Sequence, residues 1–194
     1  MLRVVAGRRS TTPGYVVVYP NRDKAASKLV KLVVLVIMLV SVALMLIVTI
    51  GGWSEFQGLK GVNLIVCVLY VVIAFFIFTR WARGLLPIAA AFSLLILMLA
   101  VVAGTGLAGT SWFNRSHFGF APSTSLFGGT GMSPDVLGTV TVLLIPVQVA
   151  LIVFAMIAFN QGWNVEMEVP KDKAKRKDRD KGSSSSSSAE PATA

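Results

Sequence analysis

Apolar residues occur in four long blocks along the chain, and polar residues fill the segments between them. The first block, Leu29 to Ile50, is 22 residues long and contains one charged residue, Lys31. A helix of that length spans about 33 Å, which is enough to cross the hydrocarbon of a bilayer. The other blocks cover residues 62–78, 85–103 and 137–159. We therefore predict an all-α membrane protein, built as a bundle of four transmembrane helices in residues 29–159.

Three polar regions lie outside these blocks. Residues 1–28 form a basic N-terminal segment, in which residues 15–19 have strand propensity but no evident partner strand. Residues 104–136 form a loop between the third and fourth helices that is rich in glycine and aromatic residues. Residues 160–194 hold a charged run and then six serines, a composition that cannot bury a core. We predict that both terminal segments are disordered.

Lysine and arginine are distributed unevenly over these regions. Sixteen of the 18 basic residues lie in residues 1–31, the turn 80–83 and the tail, whereas Lys60 and Arg115 are the two in the remaining loops. The positive-inside rule then places both termini in the cytoplasm and the 104–136 loop outside.

The formal net charge of +9 is consistent with this orientation. In a membrane protein a basic excess reports orientation and contact with anionic lipid, so we expect no nucleic-acid partner. The candidates for lipid contact are the basic residues of the tail: Lys171, Lys173, Lys175, Arg176 and Lys177.

Small residues on the third helix indicate close helix packing. Ala89 and Ser93 are four residues apart, as are Ala100 and Gly104. This spacing lets the backbone of a neighbouring helix approach closely.

The fourth helix contains a proline and an amide at its centre. Pro146 removes one backbone hydrogen bond and predicts a kink. Gln148 lies two residues beyond it, and we expect a hydrogen bond from it to another helix. The side chains of Asn63, Tyr70 and Ser93 are the alternatives, together with a backbone carbonyl.

The 104–136 loop carries aromatic side chains that water does not favour. They are Trp112, Phe113, Phe118, Phe120 and Phe127. Two interpretations stay open: a lid folded over the outer end of the bundle, or a surface that contacts a partner protein.

Titratable chemistry is scarce in the four blocks. None contains Asp, Glu, His or Arg, and the chain has one histidine, His117, and one cysteine, Cys67. Metal and haem sites in a bundle need several such ligands, and ion-coupled transport needs an ionisable group at membrane depth. Ser116 beside His117 lacks an evident orienting group and oxyanion site. We therefore expect no cofactor, no metal and no enzymatic activity.

The functional expectation follows from this lack of reactive groups. We predict a non-catalytic accessory or scaffolding subunit that binds another membrane protein or a second copy of itself within the lipid bilayer. The alternative is a small oligomeric channel or passive transporter gated by the fourth helix at Pro146. The Ala-, Val- and Gly-rich composition favours a bacterial plasma membrane.

Overall fold

The computed structural model describes residues 13–56, 58–105, 112–114 and 119–173, and most of these are helical. The four long helices are α1 (Ala25–Gly51), α2 (Leu59–Arg80), α3 (Leu85–Gly104) and α4 (Pro134–Asn160). Each is long and apolar enough to cross a membrane. Two short strands are also present, β1 (Tyr15–Val18) and β2 (Met167–Pro170). The chain divides into two compact units, the bundle of residues 29–161 and a smaller unit formed by the segments on either side of it.

The prediction of four long apolar helices is confirmed, although the helices extend beyond the apolar blocks. The fourth block begins at residue 137, whereas α4 begins at Pro134. Ser133 caps this helix, because its hydroxyl oxygen accepts a hydrogen bond from the backbone N–H of Val136 at 3.4 Å. Proline at the first helical position is a second signal for the start of the helix, because its fixed φ suits a helix and its missing N–H costs little there. Hydropathy locates the apolar part of a helix, but the cap determines where the helix begins.

Within the bundle, α3 and α4 form the closest helix pair. A Cβ atom at Gly104 would lie 3.0 Å from both the backbone nitrogen and Cγ2 of Val142. The absence of a side chain at Gly104 therefore permits the contact with α4. Ala89, Ser93 and Ala100 lie on the buried face of α3.

The bundle has an apolar exterior as well as an apolar interior. Met38, Tyr70 and Leu151 are fully buried and come from three different helices. Large apolar side chains also point outward, and those with the highest exposure on α2 and α3 are Ile65 (61%), Val68 (62%), Phe75 (60%), Leu99 (68%) and Val102 (63%). Such an apolar outer surface is what a helix bundle presents when hydrocarbon surrounds it.

Part of the loop between α3 and α4 is ordered against the end of α1. Thr124 and Thr130 form an isolated antiparallel bridge. The backbone N–H groups of Leu126 and Met132 donate to the carbonyl oxygens of Ile50 and Gly51, at 3.1 and 2.9 Å. The loop thereby satisfies carbonyls that the last turn of a helix leaves unpaired.

The smaller unit contains a two-stranded antiparallel sheet. Tyr15 pairs with Pro170 and Val18 with Met167, so β1 and β2 align along their full lengths. The guanidinium of Arg22 donates to the Trp163 carbonyl at 3.0 Å and to Asn164 Oδ1 at 2.8 Å. Partial burial lowers the pKa of Arg22, whereas Tyr19 and Glu166 act to raise it.

This sheet differs from the expectation of disorder in both terminal segments. The strand propensity of residues 15–19 has a partner after all, which is supplied by a segment predicted to belong to the disordered tail. The charges and serines beyond residue 170 dominate the composition of residues 160–194. A prediction from that composition therefore misses the four-residue strand Met167–Pro170. Residues 1–12 and 174–194 lie outside the described residues.

Gly131 offers a test of how the loop docks on α1. A Cβ atom there would lie 2.7 Å from the Gly51 carbonyl oxygen and 2.8 Å from that of Ser123. We expect Gly131→Ala to lower the free energy of unfolding by about 1–3 kcal/mol, because two backbone segments must move apart. Thermal unfolding of the detergent-solubilised protein measures this effect.

Gly129→Ala is the matched control, since a Cβ atom at Gly129 meets only the Ser125 hydroxyl, at 4.0 Å. Equal unfolding temperatures for the two variants would show that the loop does not dock through Gly131.

Candidate functional site

The most polar place in the interior of the bundle is a cluster of four side chains, one from each helix. Ser41 lies on α1, Tyr70 on α2, Ser93 on α3 and Gln148 on α4, and the exposed fraction of each is 0%. Each residue sits in an otherwise apolar stretch of its helix. We call these four residues the central network.

Gln148 connects the central network through both ends of its amide. Its Nε2 donates to Ser41 Oγ at 2.5 Å, and its Oε1 accepts from Ser93 Oγ at 2.5 Å. The hydroxyl of Tyr70 lies 3.3 Å from Gln148 Oε1 and 3.4 Å from Ser93 Oγ, so its single hydrogen can be donated to either. One amide thus links α4 to the other three helices.

The polar groups of the central network are paired with one another, and the Ser41 hydroxyl also donates to the sulfur of Met45 at 4.0 Å. Among the described residues, no buried side-chain nitrogen or oxygen lacks a hydrogen-bond partner. An unpaired polar group in an apolar interior is costly, so the pairing stabilises one arrangement of the four helices. The arrangement fixes helix register and presents neither a charged group nor an activated nucleophile.

A second polar contact joins α1 and α2 nearer the α3–α4 loop. The Asn63 amide nitrogen donates to the hydroxyl oxygen of Thr49 and lies 3.5 Å from the Met45 carbonyl. Thr49 in turn donates to the Met45 carbonyl at 2.7 Å. Asn63 is therefore engaged outside the central network, whereas the expected partners Tyr70 and Ser93 belong to it.

Basic side chains meet helix C-termini at the opposite end of the bundle. Lys31 Nζ donates to the Phe78 carbonyl at 2.9 Å and lies 3.8 Å from the centre of the Trp81 ring. Arg83 Nε donates to the Phe159 carbonyl at 2.7 Å, and its guanidinium stacks 4.3 Å from the Phe159 ring. Cations at helix C-termini offset the negative end of the macrodipole. These contacts stabilise α2 and α4.

Pro146 lies in an unbroken helix, since α4 runs from Pro134 to Asn160 through it. Together with Val36 and Val40 of α1, it lines a shallow apolar groove on the bundle. Gln148 belongs to the central network instead. Pro146 and Gln148 are two residues apart on α4 but therefore have different surroundings.

The aromatic residues of the α3–α4 loop have different environments. Phe113 is 3% exposed and packs with Val48 and Leu137, and its ring is 5.9 Å from that of Phe56. Trp112, Phe120 and Phe127 are 52%, 48% and 85% exposed. The structure thus places one aromatic in the chain's own core and three others at its surface.

Several residues singled out from the sequence lie outside the described residues or at the edge of them. Phe118, Lys175, Arg176 and Lys177 are outside, as is His117. Lys171 and Lys173 are exposed and directly follow β2.

The sequence reasoning missed Ser41 as the partner of the Gln148 amide nitrogen. Serine is common in apolar helices and gives no distinctive signal by itself. A useful clue is depth, because Ser41 and Gln148 both lie near the middle of their helices. Polar residues at matching depth in different spans are candidates for pairing.

Comparison with protein-family models, curated proteins and solved structures finds no match to this chain.

Substitution of Gln148 measures what the central network contributes. Gln148→Leu keeps similar bulk but removes the hydrogen bonds to Ser41, Ser93 and Tyr70. We expect the free energy of unfolding in detergent to fall by about 1–2 kcal/mol, since single interhelical hydrogen bonds in membranes average about 0.6 kcal/mol.

Val149→Leu is the control, because it alters the neighbouring side chain, which is 45% exposed. A double-mutant cycle with Ser41→Ala isolates the pair, and a coupling energy of zero would contradict a stabilising role for this hydrogen bond.

Proposed function

We propose that this protein is a four-pass integral membrane protein that acts as a non-catalytic accessory or scaffolding subunit. The supporting observation is the distribution of side chains in the bundle. Its hydrogen-bonding groups are buried at the centre, whereas its outer surface carries large apolar side chains. Lipid is the solvent in which that arrangement is stable, because an apolar outer surface costs nothing there.

The extent of exposed apolar surface supports membrane insertion. Soluble monomers rarely expose contiguous apolar patches larger than a few hundred Å². Here outward-facing apolar side chains recur along all four helices, and examples from α1, α2, α3 and α4 are Leu32, Ile65, Leu95 and Val153. In the described part of the chain, the buried polar side chains of the four helices are hydroxyls and the Gln148 amide, and none of their buried nitrogen or oxygen atoms lacks a hydrogen-bond partner, which favours a structural role.

Pairing of the segment before α1 with the segment after α4 supports the orientation proposed for the protein. Four crossings return the chain to the side on which it starts. The antiparallel pairing of β1 with β2 brings the segments before α1 and after α4 into direct contact. The excess of basic residues in these segments favours the cytoplasm as that side. A bacterial plasma membrane remains our proposal for the location.

The α3–α4 loop supplies the surface that we assign to a partner. Phe127 is 85% exposed, and Trp112 and Phe120 are about half exposed. Aromatic side chains are over-represented at protein interfaces, where they contribute much of the binding energy. A membrane protein or a second copy of this chain is the proposed partner.

The environment of Gln148 favours this structural role over the alternative of a gated channel. A pore built around α4 would present the Gln148 amide to the conduction path. Here both ends of that amide are engaged inside a single chain. Unchanged solute flux in vesicles carrying Gln148→Leu is therefore expected.

Cysteine labelling tests the proposed topology. In a Cys67→Ala background, Lys24→Cys, Lys171→Cys and Phe127→Cys place single thiols at exposed positions. We expect an impermeant maleimide to label the variant at position 127 in intact cells. The other two should react only after the membrane is opened. Labelling of positions 24 and 171 on opposite faces would refute a four-pass arrangement.

Co-purification tests the proposed partner. We expect a membrane-protein partner or a second copy to co-purify in mild detergent and to be lost when Phe127 and Trp112 are changed together to serine. Changing Leu95 and Val153, which are apolar residues exposed on the helices, to alanine is the control. A monodisperse monomer from the unaltered protein would contradict the accessory role.

A further inference from the structure

In the described part of the bundle, neither the central network nor the helix contacts explain a cavity between the four helices. Its volume is about 110 Å³, and it lies between the central network and the α3–α4 loop. Residues from all four helices line it, together with the two loop phenylalanines Phe56 and Phe113. Phe113 is fixed there by its packing against Val48 and Leu137. A well-packed side chain therefore forms the wall of the cavity that faces the α3–α4 loop.

The lining is almost entirely apolar, and its side-chain hydrogen-bond donors are already engaged. The amide nitrogen of Asn63 donates to Thr49, and the Thr141 hydroxyl donates to the Leu137 carbonyl at 2.8 Å. A buried water needs two to four polar partners. The donors at this cavity are used elsewhere, so the chemistry favours an apolar occupant. Apolar cavities of comparable size stay dry and bind small apolar molecules.

The cavity reaches the outer surface of the bundle beside α3. Leu99 is one of its lining residues, and the side chain of Leu99 is 68% exposed. Ile65 in the first half of α2 and Val102 in the last half of α3 are also apolar and more than 60% exposed. The opening is therefore continuous with the apolar surface that faces hydrocarbon.

We propose that this cavity is a binding site for the acyl chain of a membrane lipid, which enters laterally between α2 and α3. The inference rests on the membrane insertion proposed above. An empty cavity leaves its wall atoms without dispersion contacts, and methylene groups of a neighbouring acyl chain restore them. An acyl chain is narrow, flexible and present all along this surface, whereas a partner protein would have to offer one apolar side chain at one depth.

The experiment uses the full-length protein in phosphatidylcholine vesicles that contain a phosphatidylcholine with a photoreactive diazirine on its acyl chain. After irradiation, mass spectrometry locates the labelled residues. We expect labelling inside the cavity, at Asn63 and Ala103, as well as on the outer surface at Leu95 and Val102.

Ala100→Leu fills the cavity, because Ala100 lines it and is 2% exposed. We expect labelling of Asn63 and Ala103 to fall at least about fivefold, since the leucine side chain takes the volume that the acyl chain occupies. Ala91→Leu is the matched control, because Ala91 is exposed on the same helix and its substitution leaves the cavity open. Val48→Phe fills the cavity from α1 and serves as a second variant if Ala100→Leu does not fold.

The outcomes separate the two proposals. Equal labelling of Asn63 and Ala103 in the parent protein and both cavity-filling variants would overturn the acyl-chain site, as would labelling confined to Leu95 and Val102. Absence of labelling at every position would instead contradict membrane insertion itself.

Discussion

A polar group in an apolar interior must find a partner within the protein, and the bundle is organised around one group that does so. The side-chain amide of Gln148 has a donor and an acceptor at opposite ends, and both are used by other helices. In the bilayer proposed for this protein, hydrocarbon would provide little drive for helices to associate, because lipid chains are as apolar as leucine. Hydrogen bonds and close packing then have to determine which faces meet. The central network supplies the hydrogen bonds, and the contact of Gly104 with α4 supplies the close packing.

The same requirement explains how the ends of the helices are arranged. A helix leaves carbonyl groups unpaired in its last turn, and these need partners even at a membrane boundary. At one end of the bundle, Lys31 and Arg83 bind the carbonyls of Phe78 and Phe159. At the other end, backbone N–H groups of the α3–α4 loop bind those of Ile50 and Gly51. The loop therefore has a structural role in addition to any contact its exposed aromatics make.

The sequence predicted the helices well because the underlying signal is strong and local. Four apolar blocks of sufficient length give four helices, whose ends differ from the block ends by a few residues, and for α4 the cap at Ser133 explains the earlier start. Pairings between distant residues were harder to predict. The involvement of Gln148 was foreseeable, since it is the one amide in the fourth block, but its contact with Ser41 depends on the rotation and depth of α1. Phe113 and Phe127 look alike in sequence, yet one is in the core and the other is exposed, because only the fold determines which aromatic reaches Val48.

The sheet of the smaller unit has a consequence for the order in which the chain matures. Tyr19 and Glu166, which join its two segments by a hydrogen bond of 3.0 Å, are 147 residues apart. On the ribosome, β1 emerges before α1, and its partner strand emerges only after α4. Until then the Tyr-Val-Val-Val segment is an unpaired apolar edge, a type of strand that invites association with other chains. The sheet therefore closes only after all four helices have been synthesised, and a product truncated before residue 167 would leave that edge open permanently.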